Sequence, residues 1–373
     1  MPIIRKKCVI CKNKIFSLAK FKKFPLYMGV RDEKENSLTR DMKWAYCSSC
    51  GCVQLSELID PKVLYKNPHN PAIGKTWENH NKNFVDFIIK NKPKNVLDIG
   101  GANLKIANLL CEKIQVDKYD IIDFSSNKYE VEKINKRINL IRGSVEQYGI
   151  DNKVDCVILS HTLEHIYEPI SFLKNIKKFL SKDGKIYISV PNIKKQLEDN
   201  FLNALHFEHT YFIDHEYIKI LAYYAGLALV EQQEFSEYNS FYVLTKDKID
   251  DGGIPIHSNR TDAKRIFKKF IKNVKKDVTN INYLLANRKA YIFGAHVFTQ
   301  YLINFGLEEQ NIEKIIDNDH NKINKFLYGT NIEVESPSIL KEKKSPILIL
   351  RVAQYKKEII EDIKNINKET III

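Results

Sequence analysis

The stretch VLDIGGAN, from Val96 to Asn103, decides the fold of this chain. It begins with apolar residues typical of a buried strand, reaches Asp98, and continues through Gly100 and Gly101 into small residues that open a helix. Glycines let a backbone approach a ligand closely, and the start of the following helix favours a negative group. The stretch therefore predicts a nucleotide-binding turn between a strand and a helix.

A second acidic residue supports this interpretation. Asp123 ends the next predicted strand, 22 residues after Gly101, where a carboxylate can accept hydrogen bonds from ribose hydroxyls. The dinucleotide pattern G-x-G-x-x-G is absent, because Ala102, Asn103 and Leu104 follow the two glycines. The turn thus favours a ligand whose amino acid or ribose needs an acceptor over a pyrophosphate.

Apolar strands and amphipathic helices alternate on both sides of this turn. The predicted strands are NVLDIGG, KYDIIDF, INLIRGS, VDCVILS and GKIYISV, and a second, smaller set follows as KAYIFGA, EKIIDND, PILILRV and ETIII. This alternation predicts a Rossmann-like α/β fold with a doubly wound parallel sheet, followed by a smaller α/β domain. A polar linker and a long helix over 261–285 separate the two, and the apolar stripe of that helix indicates core packing or a brace between domains. We expect domains at 1–65, 66–247 and 248–373.

Four cysteines occur in two C-x-x-C pairs near the N-terminus. Cys8 and Cys11 form the first pair, and Cys47 and Cys50 form the second. Two such turns supply the four thiolates of a tetrahedral zinc site, whereas a redox role needs one pair in a thioredoxin-like βαβ context that is missing here. The spacing therefore predicts an N-terminal zinc-binding module.

The composition places weaker limits on the partners and the location of the protein. The chain of 373 residues carries a formal net charge of +13, which favours an anionic partner, although a uniform excess of Lys can also leave only a solvated basic surface. Residues 1–10 lack the features of a signal peptide, and no long apolar run occurs. We expect a cytoplasmic protein with reduced thiols and no membrane insertion.

Four stretches in order, VLDIGGA, DIIDFS, IRGSVEQY and VILSHTLEHIYEP, resemble the class I S-adenosylmethionine-dependent methyltransferases over residues 90–245. The resemblance implies S-adenosylmethionine as the cofactor and assigns parts of its site to residues of this chain. Those residues are Asp98, Gly100, Gly101 and Ala102 for the methionine and ribose part, Asp123 for the ribose diol, Ser144 and Val145 beside the adenine, and Ser160 and His161 where sulfur meets acceptor. Ala102 departs from the family, in which many members carry a further glycine.

The stretch HTLEH also matches the H-x-x-E-H pattern of some zinc peptidases. A metal would need His161 and His165 on one helical face. However, the stretch follows a buried strand and reaches Pro169 four residues later, which leaves little room for a helix. In the methyltransferase interpretation the loop is a lid over the cofactor, and His165 either faces the substrate or caps a helix end.

The order of the whole chain resembles the sugar methyltransferases, best known as C-methyltransferases of nucleotide-linked deoxysugars. CSSCGCVQLSELIDPKVLY and FEHTYF carry this resemblance. It implies a nucleotide-linked sugar as substrate, His209 as general base, and Glu208, His206 and His165 as further catalytic candidates. Tyr211, His69, Asn192 and Gly294 are the candidates for substrate binding.

Two departures bear on the accepting atom. The carbon-methylating relatives carry a tyrosine ahead of Glu-His, where this chain has His206 or Phe207, and their second tyrosine aligns with Tyr65, His69 or Asn70. Because methylating a hydroxyl chiefly needs one base, whereas enolising a keto sugar needs donors to an oxyanion, we favour O-methylation and keep C-methylation as the second possibility.

Two further functions fit parts of the sequence. An RNA methyltransferase would fit the charge, but the SHTLEH stretch is neither an N-P-P-Y-like nor a cysteine-based catalytic motif, so a nucleic-acid substrate is disfavoured. The other function is that of a non-catalytic cofactor-binding module.

The role of the C-terminal domain and the oligomeric state stay open at this point. Gly294 is a lone glycine with Asp317 following at ribose distance, so the C-terminal domain either contacts the nucleotide or only scaffolds. The protein is expected to be a monomer or a homodimer.

Overall fold

The fold is that of a computed structural model, which describes residues 2–32, 37–66, 74–101, 104–124, 137–145, 153–247 and 262–373. The gap at 67–73 adjoins the predicted boundary at 65, and the gap at 248–261 adjoins the one at 247. His69 and Ala102 lie outside the described residues.

The N-terminal unit is a small antiparallel structure. Its main sheet has the order β2-β4-β5, and β1 pairs with β6. The elements are β1 Ile3–Ile4, β2 Ile15–Pro25, β3 Val30–Arg31, β4 Thr39–Cys47, β5 Val53–Leu55, β6 Glu57–Leu58 and α1 Pro61–Leu64.

The middle unit contains a seven-stranded sheet with helices packed on it. Its elements are α2 Lys75–Ile89, β7 Asn95–Ile99, α3 Lys105–Lys113, β8 Lys118–Asp123, β9 Ile138–Arg142, β10 Val154–Ser160, α4 Pro169–Phe179, β11 Leu180–Pro191, α5 Ile193–Glu198, α6 His215–Ala225, β12 Ala228–Ser236 and β13 Asn239–Thr245. Local sequence sets several ends: α4 begins at Pro169, Asp214 caps the start of α6 by accepting from Tyr217 N, and Gly226 ends α6 at φ +71°.

The strand order of this sheet is β12-β13-β11-β10-β7-β8-β9. The five strands from β11 to β9 are parallel, as the sequence predicts, and β13 pairs antiparallel with both β11 and β12. The Rossmann-like arrangement is thus confirmed, but the expectation of a purely parallel sheet is wrong at this edge. The short turn between β12 and β13 explains the difference, because a hairpin can only join antiparallel neighbours.

The C-terminal unit contains a five-stranded parallel sheet of order β17-β15-β14-β18-β19. Its elements are α7 Asp262–Leu285, β14 Ala290–Phe293, α8 Val297–Asn304, β15 Ile312–Ile316, β16 Phe326–Leu327, β17 Val334–Glu335, β18 Ile347–Leu350, α9 Lys356–Ile366 and β19 Ile371–Ile372. The second, smaller α/β unit predicted from the sequence is therefore present.

The helix α7 packs its apolar stripe between the three units. Phe267 stacks on Phe21 of β2 at 6.3 Å and lies 5.8 Å from Trp44 of β4 and 6.2 Å from Phe212. Phe270 meets the ring of Tyr301 in α8 at 6.4 Å. The helix is therefore a buried brace between the units.

Within the described ranges no helix is long and apolar enough to cross a membrane.

The segment that follows Glu208 is held as an extra strand on the N-terminal unit. Leu55 N donates to Thr210 O, and Phe212 N donates to Val53 O, at 2.9 and 2.8 Å. The buried guanidinium of Arg5 closes this arrangement by donating to the carbonyls of Leu55, Thr210 and Tyr167. The N-terminal unit thus positions residues 208–212.

The substitution Arg5→Ala should weaken this junction. It removes one donor from each of three carbonyls, of which Thr210 O still accepts from Leu55 N. An unpaired buried polar group costs about 1–3 kcal/mol, so we expect the free energy of unfolding to fall by about 3 kcal/mol. Thermal denaturation measures the loss. Arg40→Ala is the matched control, because the Arg40 guanidinium is exposed and, within the described residues, bonds only to the carbonyl of Thr39. Equal losses in the two variants would contradict the role of Arg5.

Candidate active site

A cavity of 560 Å³ lies where the strand order of the middle sheet reverses. The chain runs from β7 outward to β8 and β9, then returns to β10 on the other side of β7. Ligands of open α/β sheets bind at the carboxyl ends of the strands at such a point. The cavity is lined by Pro61, Tyr65, Ile99, Gly100, Ile122, Asp123, Phe124, Gly143, Ser144, Val145, His161, Thr162, His165, Ile166, Tyr167, Glu168, Ser171, Phe172, Asn175 and Glu208.

The turn after β7 has room only for glycine. Gly100 adopts φ +83°, and a Cβ there would lie 2.6 Å from Thr162 Oγ1. A Cβ at Gly101 would lie 2.3 Å from Asp98 Oδ2. The backbone of this turn therefore lies close against its neighbours, and Gly100 faces the cavity where a cofactor would sit.

Asp98 lies beneath this turn and is not among the cavity-lining residues. Its carboxylate is fully buried and accepts a hydrogen bond from the Tyr119 hydroxyl at 2.9 Å. Burial raises the pKa of Asp98 to about 7. Within the described part of the chain Asp98 Oδ1 has no hydrogen-bond partner. Asp98 thus supports the turn from below and keeps one oxygen available.

Three residues that the sequence assigns to the ribose and adenine parts of the cofactor line the cavity. Asp123, Ser144 and Val145 all line it. Phe124 and Tyr65 also line it, with their rings stacked at 6.0 Å and 4°. Sequence reasoning missed Phe124, although its place directly after Asp123 was a usable signal. Ser160 ends β10 beside the cavity, and its carbonyl accepts from Thr162 Oγ1 at 3.3 Å.

Two of the four catalytic candidates line the cavity, whereas His206 and His209 lie next to them and are not among its described lining residues. His165 and Glu208 line it, with His165 Nδ1 lying 3.6 Å from Glu208 Oε2. His209 is partly exposed; its ring lies 3.8 Å from the ring of His206 and 5.4 Å from that of His165. His209 Nδ1 lies 2.8 Å from the carbonyl of Ala204, so Nδ1 carries the hydrogen of the neutral ring and Nε2 is the basic atom.

Glu164 is the residue of this cluster whose role the sequence did not reveal. Its side chain is fully buried, and one donor atom each of Glu164, His165 and His209 lie within 4.8 Å of one another. Burial raises the pKa of Glu164 to about 7, and burial lowers the pKa of His209. The H-x-x-E-H pattern singles out Glu164 only as part of a peptidase motif.

Three substrate-binding candidates lie elsewhere. Tyr211 is buried and donates to the carbonyl of Leu163 at 2.8 Å. Asn192 caps α5 by accepting from Lys195 N. Gly294 lies in the C-terminal unit. None of the three is among the described residues that line the cavity. Tyr211 therefore supports the active-site loop from behind.

The turn after β14 repeats the turn after β7. Gly294 N donates to Ile316 O and Gly100 N donates to Ile122 O, both at 2.8 Å. Asp317 occupies the place of Asp123, but its oxygens already accept from Ala295 N, Asp319 N and Lys322 Nζ at 2.8 to 2.9 Å. This turn is therefore closed by internal contacts.

A second cavity, of 570 Å³, lies between α7, the end of β18 and residues 199–202. Its Arg351 is engaged on two sides. The guanidinium donates to both carboxylate oxygens of Asp277, at 2.6 and 2.8 Å, and to the carbonyl of Ile373. Arg351 thus neutralises a local carboxylate and fastens the C-terminus.

The four N-terminal cysteines form one compact cluster. The sulfur atoms of Cys8 and Cys50 lie 3.5 Å apart, as do those of Cys11 and Cys47, and all four lie within 4.8 Å of one another. The two C-x-x-C turns match: Lys12 N donates to Cys8 O at φ +59°, and Gly51 N donates to Cys47 O at φ +81°. Four sulfurs so arranged could hold one metal ion.

Two family descriptions match the chain. Residues 78–232 match "Methyltransferase domain", and residues 257–372 match "C-methyltransferase C-terminal domain". The first match includes the glycine turn and most of the seven-stranded sheet, so this part of the chain is a methyltransferase domain.

Several known proteins are similar over part of the chain. The putative methyltransferase 235L of Invertebrate iridescent virus 6 is 26% identical over 178 residues, which cover 45% of this chain and 66% of that protein, a little less than two thirds of its length. The solved human N-acetylserotonin methyltransferase gives a TM-score of 0.40 at 13% identity, covering 46% of this chain and 53% of that one. The N-methyltransferase NodS from Bradyrhizobium japonicum gives 0.33 at 14% identity, covering 44% and 93%.

The substitution Gly100→Ala should abolish tight cofactor binding. The added Cβ meets Thr162 Oγ1 at 2.6 Å on a residue at φ +83°, so we expect affinity for S-adenosylhomocysteine to fall by about 30-fold or more, equivalent to about 2 kcal/mol. Isothermal titration calorimetry measures it. Gly306→Ala is the matched control, because Gly306 has φ +104° with nothing within 4 Å of its Cβ position. Unchanged affinity in Gly100→Ala would exclude this turn as the cofactor site.

Proposed function

We propose that this methyltransferase transfers the methyl group of S-adenosylmethionine to a carbon of a nucleotide-linked keto sugar. The observation that carries the proposal is one cavity that is lined both by Asp123 and by the His165–Glu208 pair. The bound cofactor supplies an electrophilic methyl group on a sulfonium. The chain itself must hold the acceptor next to it, exclude water and remove a proton.

The residues of the glycine turn fit the cofactor. Gly100 leaves space for a close approach, and Asp123 places a carboxylate at the end of β8 for ribose hydroxyls. Ser144 and Val145 lie beside it for the adenine. Beneath the turn, Oδ1 of Asp98 has no hydrogen-bond partner among the described residues.

The proton is taken by the imidazole cluster, and we assign the base to His209. Its Nδ1–H is held by the Ala204 carbonyl, which leaves Nε2 basic. Burial lowers the pKa of His209 and so keeps the ring neutral and ready to accept a proton near pH 7. Glu208 and His165, which line the cavity beside it, orient the sugar.

Carbon is favoured over oxygen as the accepting atom, against the preference drawn from the sequence. The match of residues 257–372 to a C-methyltransferase C-terminal domain supports carbon. So does Tyr65, whose ring lines the cavity. Burial, reinforced by Glu208, holds the pKa of Tyr65 well above its usual value, so its phenol stays a donor. A phenol in that place can stabilise the oxyanion that forms when a ketone enolises.

The cysteine cluster is proposed to bind structural zinc. Tetrahedral zinc has bonds of about 2.3 Å to sulfur, which places the sulfurs about 3.8 Å apart, near the 3.5 Å seen here. Hydrogen bonds with Cys11 and Cys8, together with burial, raise the pKa of the Cys50 thiol. Four thiolates therefore need a cation at their centre.

Removing one ligand tests the zinc assignment. Cys47→Ser should reduce the zinc content from about one ion per chain to near zero and lower the melting temperature, because zinc binding stabilises a unit this small. Mass spectrometry of the metal content measures it. Cys111→Ser, at a half-buried thiol outside the cluster, should keep its zinc. A wild-type protein free of zinc, with an unchanged melting temperature in Cys47→Ser, would contradict the assignment.

The reaction is tested by incubating the protein with S-adenosylmethionine and a panel of nucleotide-linked keto sugars and hydroxy sugars. We expect a product heavier by one methylene unit with a new carbon–carbon bond, detected by mass spectrometry and located by NMR. Tyr65→Phe should slow turnover by about 10-fold or more, because the oxyanion loses a donor. A methyl group on oxygen would return the assignment to O-methylation. Methylated RNA, with no sugar product, would overturn the sugar substrate.

A further inference from the structure

Glu164 is a buried carboxylate that the proposed reaction has not yet used. It follows β10 in a short turn and has no exposed surface. Neither carboxylate oxygen has a hydrogen-bond partner within the described part of the chain. A buried carboxylate is costly unless a positive group or a proton lies next to it. The surroundings of Glu164 therefore indicate which group that is.

On one side lies His161, whose tautomer can be read from its partners. Asn239 Nδ2 donates to His161 Nε2 at 2.7 Å, so the hydrogen of the neutral ring sits on Nδ1, 3.2 Å from Glu164 Oε1. Asn239 is itself fixed by Ser189 Oγ at 3.2 Å, and Ser189 by His80 Nε2 at 2.8 Å. Burial lowers the pKa of His161 to about 4, so it contributes a neutral N–H dipole and no charge.

On the other side lies His209. Thr210 N donates to the backbone carbonyl of Glu164 at 3.1 Å, which fixes the neighbouring His209 relative to the Glu164 side chain. Donor atoms of Glu164, His165 and His209 lie within 4.8 Å of one another. Glu208, in contrast, lines the cavity and faces His165. Glu164 is thus the enclosed carboxylate of the cluster.

We propose that Glu164 is the positioning residue for His209, the carboxylate that balances the imidazolium formed when His209 takes the acceptor proton. This inference rests on the proposed function and specifies how its base works. The acceptor C–H bond breaks, its proton goes to His209 Nε2, and its electron pair forms the enolate. The enolate carbon bonds the methyl group as the carbon–sulfur bond breaks, and the thioether keeps that electron pair. Solvent finally removes the proton from His209.

We expect the pairing to be strong because the Glu164 side chain is fully buried. Charges attract far more strongly in a low-dielectric interior than in water, and a carboxylate already in place needs no reorganisation. The titratable groups around the pair are His161, His165, His206, Glu208, Tyr65 and Tyr211. Burial raises the pKa values of Tyr65 and Tyr211, so both phenols stay neutral beside the pair. The negative charge of Glu164 acts to raise the pKa of His209.

The test compares Glu164→Gln with the wild-type enzyme across a range of pH. Gln keeps the shape but removes the charge. We expect kcat to fall by about 100-fold with little change in KM, zinc content or melting temperature. Because the anion raises the pKa of His209, its removal should move the acidic limb of kcat/KM to lower pH, by about one unit. Nitrogen-15 NMR of the histidines should show the same shift for His209. Glu164→Asp should restore part of the rate.

Two comparisons make the outcome decisive. Glu237→Gln, at an exposed carboxylate paired with Lys195, should behave as wild type. His209→Asn should abolish methyl transfer. If His209→Asn is inactive but Glu164→Gln keeps its rate and pH profile, the inference fails and the proposed function stands; if both stay active, the proposed base fails as well. A second divalent ion per chain that is lost in Glu164→Gln would mean that the cluster holds a metal, which overturns the pairing.

Discussion

Two backbone hydrogen bonds, between Leu55 and Thr210 and between Phe212 and Val53, determine where the active site lies. They attach the catalytic segment to a strand of the N-terminal unit as though it were one more strand of that sheet. A single extended segment cannot hold two imidazoles and a carboxylate in place alone, because each backbone residue costs about 1–2 kcal/mol of conformational entropy to fix. The order of this segment therefore depends on a rigid partner, and the second cysteine turn ends directly before that strand.

Two carboxylates of the site are equally buried but have different neighbours. Asp98 and Glu164 are both fully buried, and burial raises the pKa of each to about 7. Asp98 receives a hydroxyl hydrogen bond from Tyr119, whereas Glu164 receives no aligned hydrogen bond within the described ranges and faces imidazoles. The first arrangement stabilises a turn. In the arrangement around Glu164, the negative charge of the carboxylate is balanced only when a neighbouring imidazole is protonated. Such an arrangement suits a site that must accept a proton.

Features encoded by short-range spacing could be predicted from the sequence. The glycine turn and each cysteine pair depend on residues a few positions apart, and Asp123 ends the strand that follows the turn, 22 residues after Gly101. In the structure Gly100 and Asp123 line one cavity, and the four sulfur atoms lie within 4.8 Å of one another. Glu164 could not be assigned, because its meaning comes from His209, 45 residues later. Tyr211 was misleading for the same reason: an aromatic beside Glu-His suggests a sugar contact, yet its hydroxyl bonds the Leu163 carbonyl. Tertiary contacts, which spacing does not record, decided both.

The two α/β units share one backbone turn, but the acidic residue beside it has different surroundings in each unit. Both close their first turn with the same glycine hydrogen bond at 2.8 Å. In the middle unit Asp123 lines a cavity. In the C-terminal unit the carboxylate of Asp317 accepts from the backbone N–H groups of Ala295 and Asp319 and from Lys322 Nζ. A carboxylate already bonded this way gains little from a ribose, since a new hydrogen bond would only replace an existing one. We therefore expect cofactor recognition to be concentrated in the middle unit.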